Sequence, residues 1–79
     1  MNNLETYNKV FCDTLQIEES QLSDLKYQGT ELWDSVGHMT LMAELEDAFD
    51  IMLETDDIVD FSSYEKGKEI LKNKYDVKF

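Results

Sequence analysis

The sequence predicts a small all-α domain, an antiparallel four-helix bundle with three main helices and one short helix. Apolar residues recur at helical spacing in separate stretches, and no strand is predicted. The chain has no proline to interrupt these stretches. Its 79 residues suit a single domain spanning residues 1–79.

The first helix is predicted over residues 4–15, with one apolar face formed by Leu4, Tyr7, Phe11 and Leu15. Residues 16–34 are predicted to be a long connection with a short turn near residues 19–22. Four apolar side chains are expected to hold this connection on the bundle: Ile17, Leu22, Leu25 and Tyr27. Trp33 is expected to pack where the connection meets the second helix.

The second helix is predicted over residues 35–49, with Ser35 as its N-cap. His38 is the only histidine, and its position at the edge of the apolar face indicates a packed, hydrogen-bonded residue rather than a catalytic base. The core-facing side is predicted to carry His38, Leu41, Met42, Leu45, Ala48, Phe49 and Met52. The opposite side begins apolar and then turns acidic, through Val36, Met39, Ala43, Glu46, Asp47 and Asp50.

Two further helices are predicted in the last third of the chain. Thr55-Asp56-Asp57 offers capping chemistry for a short third helix over about residues 56–60. Ser62 or Ser63 is expected to cap a fourth helix that runs to about residue 74 and buries Tyr64, Ile70 and Leu71. Residues 75–79 are expected to form a loosely held tail.

The charge is strongly negative and unevenly distributed. Eighteen acidic residues and seven lysines give a net charge of −11. Residues 31–61 contain ten acids and no base, so this segment alone carries −10, while residues 1–30 carry −3 and residues 62–79 carry +2. This balance argues against nucleic acid and anionic membrane surfaces as partners and favours basic proteins.

Other sequence features narrow the function further. A single cysteine, Cys12, allows no intramolecular disulfide, and neither a membrane-spanning run nor a signal peptide pattern is found, so a cytoplasmic protein is expected. The acids lack the glycine and glutamate spacing of an EF-hand loop, and no nucleophile–base–orienter arrangement is found. We therefore expect no metal site and no catalytic activity in the chain itself.

Ser35 is the residue most suited to a chemical role. A hydroxyl at the start of a helix lies near unpaired backbone N–H groups and the positive end of the helix dipole, which favour an attached anion. The acidic segment begins there, and apolar residues follow on the exposed side. These features predict a phosphodiester-linked prosthetic arm on Ser35. Two alternatives are a plain capping serine and an acidic interaction module without an arm.

Asp34-Ser35-Val36 resembles the Asp-Ser-Leu signature of acyl carrier proteins, and residues 39–49 are similar to that family's second helix. The resemblance extends from the first helix to Ser63-Tyr64. It implies that a phosphopantetheinyl transferase, the holo-carrier synthase, attaches 4′-phosphopantetheine from coenzyme A to Ser35, with Asp34 assisting docking. The arm's thiol would then carry acyl groups as thioesters on a monomeric carrier. Partner enzymes with basic patches would contact Val36, Met39, Ala43, Glu46, Asp47 and Asp57.

Three positions depart from the pattern of fatty-acid carriers. Gly37 and Thr40 replace residues that are often acidic, and Trp33 replaces a residue that is commonly small. These departures favour a dedicated carrier over a housekeeping role in fatty acid biosynthesis. Polyketide or surface-glycan acyl transfer fits this description, and an aminoacyl, peptidyl or D-alanyl carrier is the alternative.

Overall fold

A computed structural model describes residues 2–79 and contains four α-helices. They are α1 (Asn3–Leu15), α2 (Ser35–Phe49), α3 (Thr55–Asp60) and α4 (Tyr64–Lys74), and a one-turn 3₁₀ helix covers Glu19–Gln21. Over residues 2–79 there is no strand, only an isolated β-bridge between Lys26 and Ser63. The predicted all-α fold with three main helices and one short helix is confirmed. No helix in this part of the chain has the length and apolarity needed to cross a membrane.

The helix boundaries follow local capping chemistry. The Asn2 side chain accepts a hydrogen bond from the Glu5 amide and starts α1. The Ser63 hydroxyl accepts one from the Lys66 amide and starts α4, which confirms one of the two predicted caps. The predicted bounds of α2 are also confirmed. The predicted cap of α3 is wrong, because Thr55 is its first helical residue and Glu54 precedes it without a side-chain cap.

An aromatic cluster forms the centre of the core. Tyr7, Phe11 and Trp33 are fully buried, and the Phe11 ring centroid lies 4.8 Å from that of Tyr7 and 5.5 Å from that of Trp33. Phe61 and Tyr64 pack against Phe11 from the start of α4. The Tyr7 hydroxyl donates a hydrogen bond to the Tyr64 carbonyl at 2.7 Å, so the buried phenol has a partner. The cluster fastens α1 to the connection and to α4.

The long connection lies against the start of α4. Leu22 and Leu25 are buried, and the 3₁₀ helix before them confirms the predicted turn. The Tyr27 amide donates to the Ser62 carbonyl at 2.8 Å, and the Tyr64 amide donates to the Leu25 carbonyl at 2.9 Å. These backbone hydrogen bonds hold the connection in place, so a segment without long regular structure remains ordered.

The core prediction for α2 holds at Leu41, Met42 and Leu45 and fails further along the chain. Ala48 is exposed, and Met52 is 85% exposed. Ala48 lies within the last turn of α2, whereas Met52 lies beyond its end. The helix ends at Phe49 and Asp50 adopts a left-handed conformation with φ of 55°, so the chain turns there and Met52 no longer follows the helical face. In α1, the predicted core residue Leu4 is also partly exposed.

The expectation of a loose tail is wrong. The Val77 side chain is buried and its amide donates to the Leu71 carbonyl at 3.1 Å. The Lys78 carbonyl accepts a hydrogen bond from the Asn3 side chain at 3.0 Å. The Phe79 ring lies 5.2 Å from the Tyr7 ring and 6.3 Å from the Phe49 ring. The last residues therefore pack across α1 and the end of α2.

Candidate functional site

Ser35 is the first residue of α2, and its side chain is exposed. The residue that caps the helix is Asp34, whose Oδ1 atom accepts a hydrogen bond from the Gly37 amide at 2.8 Å. The Asp34 carbonyl accepts the first intrahelical hydrogen bond, from the His38 amide. The predicted N-cap role of Ser35 is therefore wrong by one residue. Because Asp34 satisfies the helix start, the Ser35 hydroxyl is not needed for capping.

Gly37 fixes how the preceding loop meets the first turn of α2. A Cβ atom at this position would lie 1.8 Å from the Leu32 carbonyl oxygen and 3.0 Å from its carbon. Contacts this short are forbidden, so only glycine lets the loop pass this close to the helix. The glycine at this position thus has a local structural cause.

A cavity of about 320 Å³ opens beside Ser35, between α2 and α3. Its lining is mostly apolar, and its rim includes Met39 and Val59, which are 57% and 75% exposed. The lining residues could not be predicted as a set from the sequence, because they come from three separate segments that only the fold brings together. The lining residues are Tyr27, Ser35, His38, Met39, Ile58, Val59, Phe61 and Ser62.

His38 connects the buried core to α3 at the cavity wall. The Trp33 indole Nε1–H, which can only donate, lies 2.9 Å from His38 Nδ1. His38 Nδ1 therefore accepts, and the ring proton lies on Nε2, which donates to the Ile58 carbonyl at 2.8 Å. This arrangement requires the neutral imidazole. The predictions of a packed, hydrogen-bonded His38 and of a buried Trp33 at the start of α2 are both confirmed.

Asp57 was expected on the partner-binding surface, and the structure corrects this. The side chain is only 1% exposed. Its Oδ1 accepts from Lys74 Nζ at 2.7 Å and its Oδ2 accepts from the Tyr75 hydroxyl, and these hydrogen bonds hold the pKa of Asp57 below its ordinary value. The Tyr75 oxygen also accepts from the Glu54 amide. Asp57 thus attaches α3 to the end of α4.

The remaining predicted contact residues share one surface along α2. Val36, Met39, Ala43 and Asp47 are exposed, and Val36 is the most exposed of the apolar members at 74%. Glu46 is half-buried, and its carboxylate accepts a hydrogen bond from the Leu53 amide at 2.8 Å, so it also stabilises the turn after α2. We call Val36, Met39, Ala43 and Asp47 the α2 strip.

The acidic segment is largely presented to solvent. Asp57 is its one buried carboxylate and Glu46 its one half-buried carboxylate. The exposed acids of this segment are Glu31, Asp34, Glu44, Asp47, Asp50, Glu54, Asp56 and Asp60. Such a surface attracts positively charged partners over distances set by ionic strength. No group of three or more histidine, cysteine or acidic side chains within residues 2–79 is arranged to hold a metal ion.

Cys12 lies on α1, away from Ser35, and is half-buried. Burial, together with the negative charges of Glu19 and Asp13, raises the pKa of its thiol.

No protein-family model matches this chain, and neither the curated proteins nor the solved structures give a significant match. The fold and the site geometry are therefore the basis for a functional proposal.

Proposed function

We propose that this chain is an acyl carrier protein that tethers acyl intermediates as thioesters on a 4′-phosphopantetheine arm attached to Ser35. The single observation that carries the proposal is the exposed Ser35 hydroxyl, free of any capping duty, on the first turn of α2 beside a mostly apolar cavity. The order of Asp34, Ser35 and Val36 and the four-helix architecture support it.

Attachment would be a phosphoryl transfer catalysed by a phosphopantetheinyl transferase with a divalent ion. A bond forms between Ser35 Oγ and the pantetheine-bearing phosphorus of coenzyme A, and the bond from that phosphorus to the bridging pyrophosphate oxygen breaks. Adenosine bisphosphate leaves, and the hydroxyl proton passes to a base of the transferase. The phosphate that remains near the helix start is favoured by the dipole, by about 0.3–1 kcal/mol.

The residues around Ser35 suit such an arm. The arm supplies a terminal thiol for thioester formation. This chain would hold the attachment oxygen at an exposed position, offer the cavity between α2 and α3 to the cargo, and present the α2 strip and the Asp34 carboxylate to enzymes. The exposed carboxylates would steer loading and transfer enzymes with basic patches into brief encounters. Under this proposal the carrier is a monomer in the cytoplasm and catalyses nothing itself.

We propose further that the carrier serves one dedicated pathway, such as polyketide or surface-glycan acyl transfer, rather than general fatty acid biosynthesis. Both Trp33 and Gly37, which depart from the fatty-acid pattern, have a specific role in this fold: the Trp33 indole donates a hydrogen bond to His38, and Gly37 leaves room for the Leu32 carbonyl. The start of α2 is thus built around these substitutions. An aminoacyl, peptidyl or D-alanyl cargo would use the same attachment and remains the alternative.

The test is to incubate the protein with coenzyme A, magnesium and a broad-specificity phosphopantetheinyl transferase and to weigh the intact chain. We expect a gain of one phosphopantetheine group in the wild type and none in Ser35→Ala. Ser62→Ala is a matched control, because Ser62 is an exposed serine on the same cavity, and this variant should be loaded like the wild type. A wild-type chain that gains no mass, or equal loading of Ser35→Ala, refutes the proposal.

The second candidate is an acidic interaction module that never carries an arm. The exposed carboxylates between residues 31 and 61, with no lysine among them, favour it. The same weighing separates the two functions. A chain that is never loaded but binds a basic protein with an affinity that falls steeply as salt rises would be such a module.

A further inference from the structure

We infer that His38 closes the inner end of the cavity beside Ser35 and thereby restricts the cargo to short acyl groups. This inference rests on the proposed function. It adds a specificity-determining residue and a substrate class, since His38 and Ile58 both line the cavity and the hydrogen bond between them joins α2 to α3.

The core behind the imidazole leaves no room for a chain to continue. Trp33 and Leu41 are fully buried and Phe61 is 1% exposed, and the Trp33 and Phe61 rings lie 6.1 and 6.3 Å from the His38 ring. Interiors at native packing density have few voids larger than a water molecule. An acyl chain entering past Met39 therefore meets the imidazole and then packed aromatic rings.

The imidazole is held in place from both sides. Swinging it aside would break the hydrogen bond to the Ile58 carbonyl and also the one from the Trp33 indole. Because Trp33 is completely buried, its N–H would then be left without a partner in the interior, a costly state. His38 thus acts as a fixed wall rather than a flexible gate.

The size of the cavity agrees with this limit. Its volume of about 320 Å³ lies at the small end of the range of roughly 300–1,000 Å³ that ligand sites occupy. Part of that space would be taken by the arm as it folds back from Ser35. The mostly apolar lining favours a short hydrocarbon over a charged group. We therefore commit to a short-chain acyl group as the occupant.

The experiment loads the full-length protein with acetyl-, butyryl-, octanoyl- and decanoyl-pantetheine on Ser35 and measures the rate of thioester cleavage by hydroxylamine. A chain inside the cavity shields the thioester, and each buried methylene strengthens this protection about fourfold, the equivalent of about 0.8 kcal/mol. We expect cleavage to slow from acetyl to butyryl and to slow no further for the two long chains. Protection that keeps growing through decanoyl, or that is absent at every length, overturns the inference.

Two variants test the role of His38 itself. His38→Ala should deepen the cavity, so that each additional methylene admitted slows octanoyl cleavage about fourfold relative to the wild type. His38→Gln is the matched control, since its amide can accept from Trp33 and donate to Ile58, and it should keep the wild-type limit. Methyl NMR signals of Ile58 and Val59, which line the cavity, should shift by the same amount with butyryl and octanoyl in the wild type, and by more with octanoyl than with butyryl in His38→Ala.

Each outcome has a distinct meaning. If a folded His38→Ala protein shows the same length limit as the wild type, His38 is not the wall and the inference fails. If His38→Ala does not fold, the wild-type length series still decides between a short and an open cavity. If no arm can be attached to Ser35, the proposed function fails, and the intact mass reveals this before any thioester is measured.

Discussion

Asp57 offers the sharpest test of how α3 is held beside the candidate site. The carboxylate is buried and accepts hydrogen bonds from Lys74 and Tyr75, which lie at the end of α4. Asp57→Asn keeps the shape of the side chain but removes its charge. The new amide NH₂ group then faces either the Lys74 ammonium or the Tyr75 hydroxyl, both of which donate hydrogen bonds to the carboxylate in the wild type. Hydrogen bonds to charged groups contribute about 1.5–3 kcal/mol each, and the larger figures apply where both partners are buried.

Lys74 is 56% exposed, so water can solvate its ammonium group once the carboxylate is gone. We therefore expect the free energy of unfolding to fall by about 2 kcal/mol in Asp57→Asn, which is less than the sum of about 3–6 kcal/mol for two such bonds because the exposed ammonium group is rehydrated. For a domain of this size, that loss lowers the melting temperature by about 8–16 °C. Thermal unfolding followed by circular dichroism measures it directly.

Asp56→Asn is the matched control, because it removes the same charge from the same helical turn at an exposed position. The free energy of unfolding of Asp56→Asn should fall only by the helix-dipole contribution of about 0.3–1 kcal/mol.

The pH dependence of stability adds a second check. The pKa of Asp57 is lowered in the folded state, so its stabilisation is complete above the ordinary carboxyl pKa of about 3.9 and disappears as the pH falls through the folded-state value. The gap between wild type and Asp57→Asn should therefore narrow in acid. Equal melting temperatures for Asp57→Asn and Asp56→Asn at neutral pH would refute the conclusion that the buried Asp57 carboxylate holds α3 against the end of α4.

Three further predictions concern the start and surface of α2. Ser35→Ala should change the unfolding free energy by less than about 0.5 kcal/mol, whereas Asp34→Ala should lower it by about 1 kcal/mol, as denaturant titration will show. Gly37→Ala should destabilise the domain by about 1–3 kcal/mol and slow attachment to Ser35, because the new methyl group collides with the Leu32 carbonyl. Asp47→Lys should slow loading by a transferase at low salt while leaving the melting temperature unchanged, and a rate equal to wild type at low ionic strength would contradict electrostatic steering.

Local sequence signals predicted α2 well because its ends depend on neighbouring residues. Apolar periodicity predicted the buried residues Leu41, Met42 and Leu45, and the polar pair Asp34 and Ser35 marked the start of the helix. Which of the two caps the helix could not be decided from the sequence, since both side chains are good caps and one residue of register separates the alternatives. The packed positions of Trp33 and His38 were predicted, but the hydrogen bond that joins them depends on their three-dimensional arrangement.

Features set by contacts between distant segments were missed. Asp57 looked like one more exposed acid in an acidic segment, and only the position of Lys74 and Tyr75 in space reveals why it is buried. The order of the tail likewise comes from contacts with α1 and the end of α2, which its five residues alone do not reveal. For the same reason the set of residues that lines the cavity at Ser35, which comes from three separate segments, could not be predicted from the sequence.

The raised pKa of the Cys12 thiol matters in practice, because the proposed pantetheine arm would give the protein a second thiol. At neutral pH this cysteine stays protonated, and a protonated thiol is a poor nucleophile toward alkylating reagents and disulfides. A pantetheine thiol exposed to water would lack both the burial and the neighbouring carboxylates that raise the pKa of the Cys12 thiol. Brief treatment with a thiol-selective label should therefore mark the arm before Cys12.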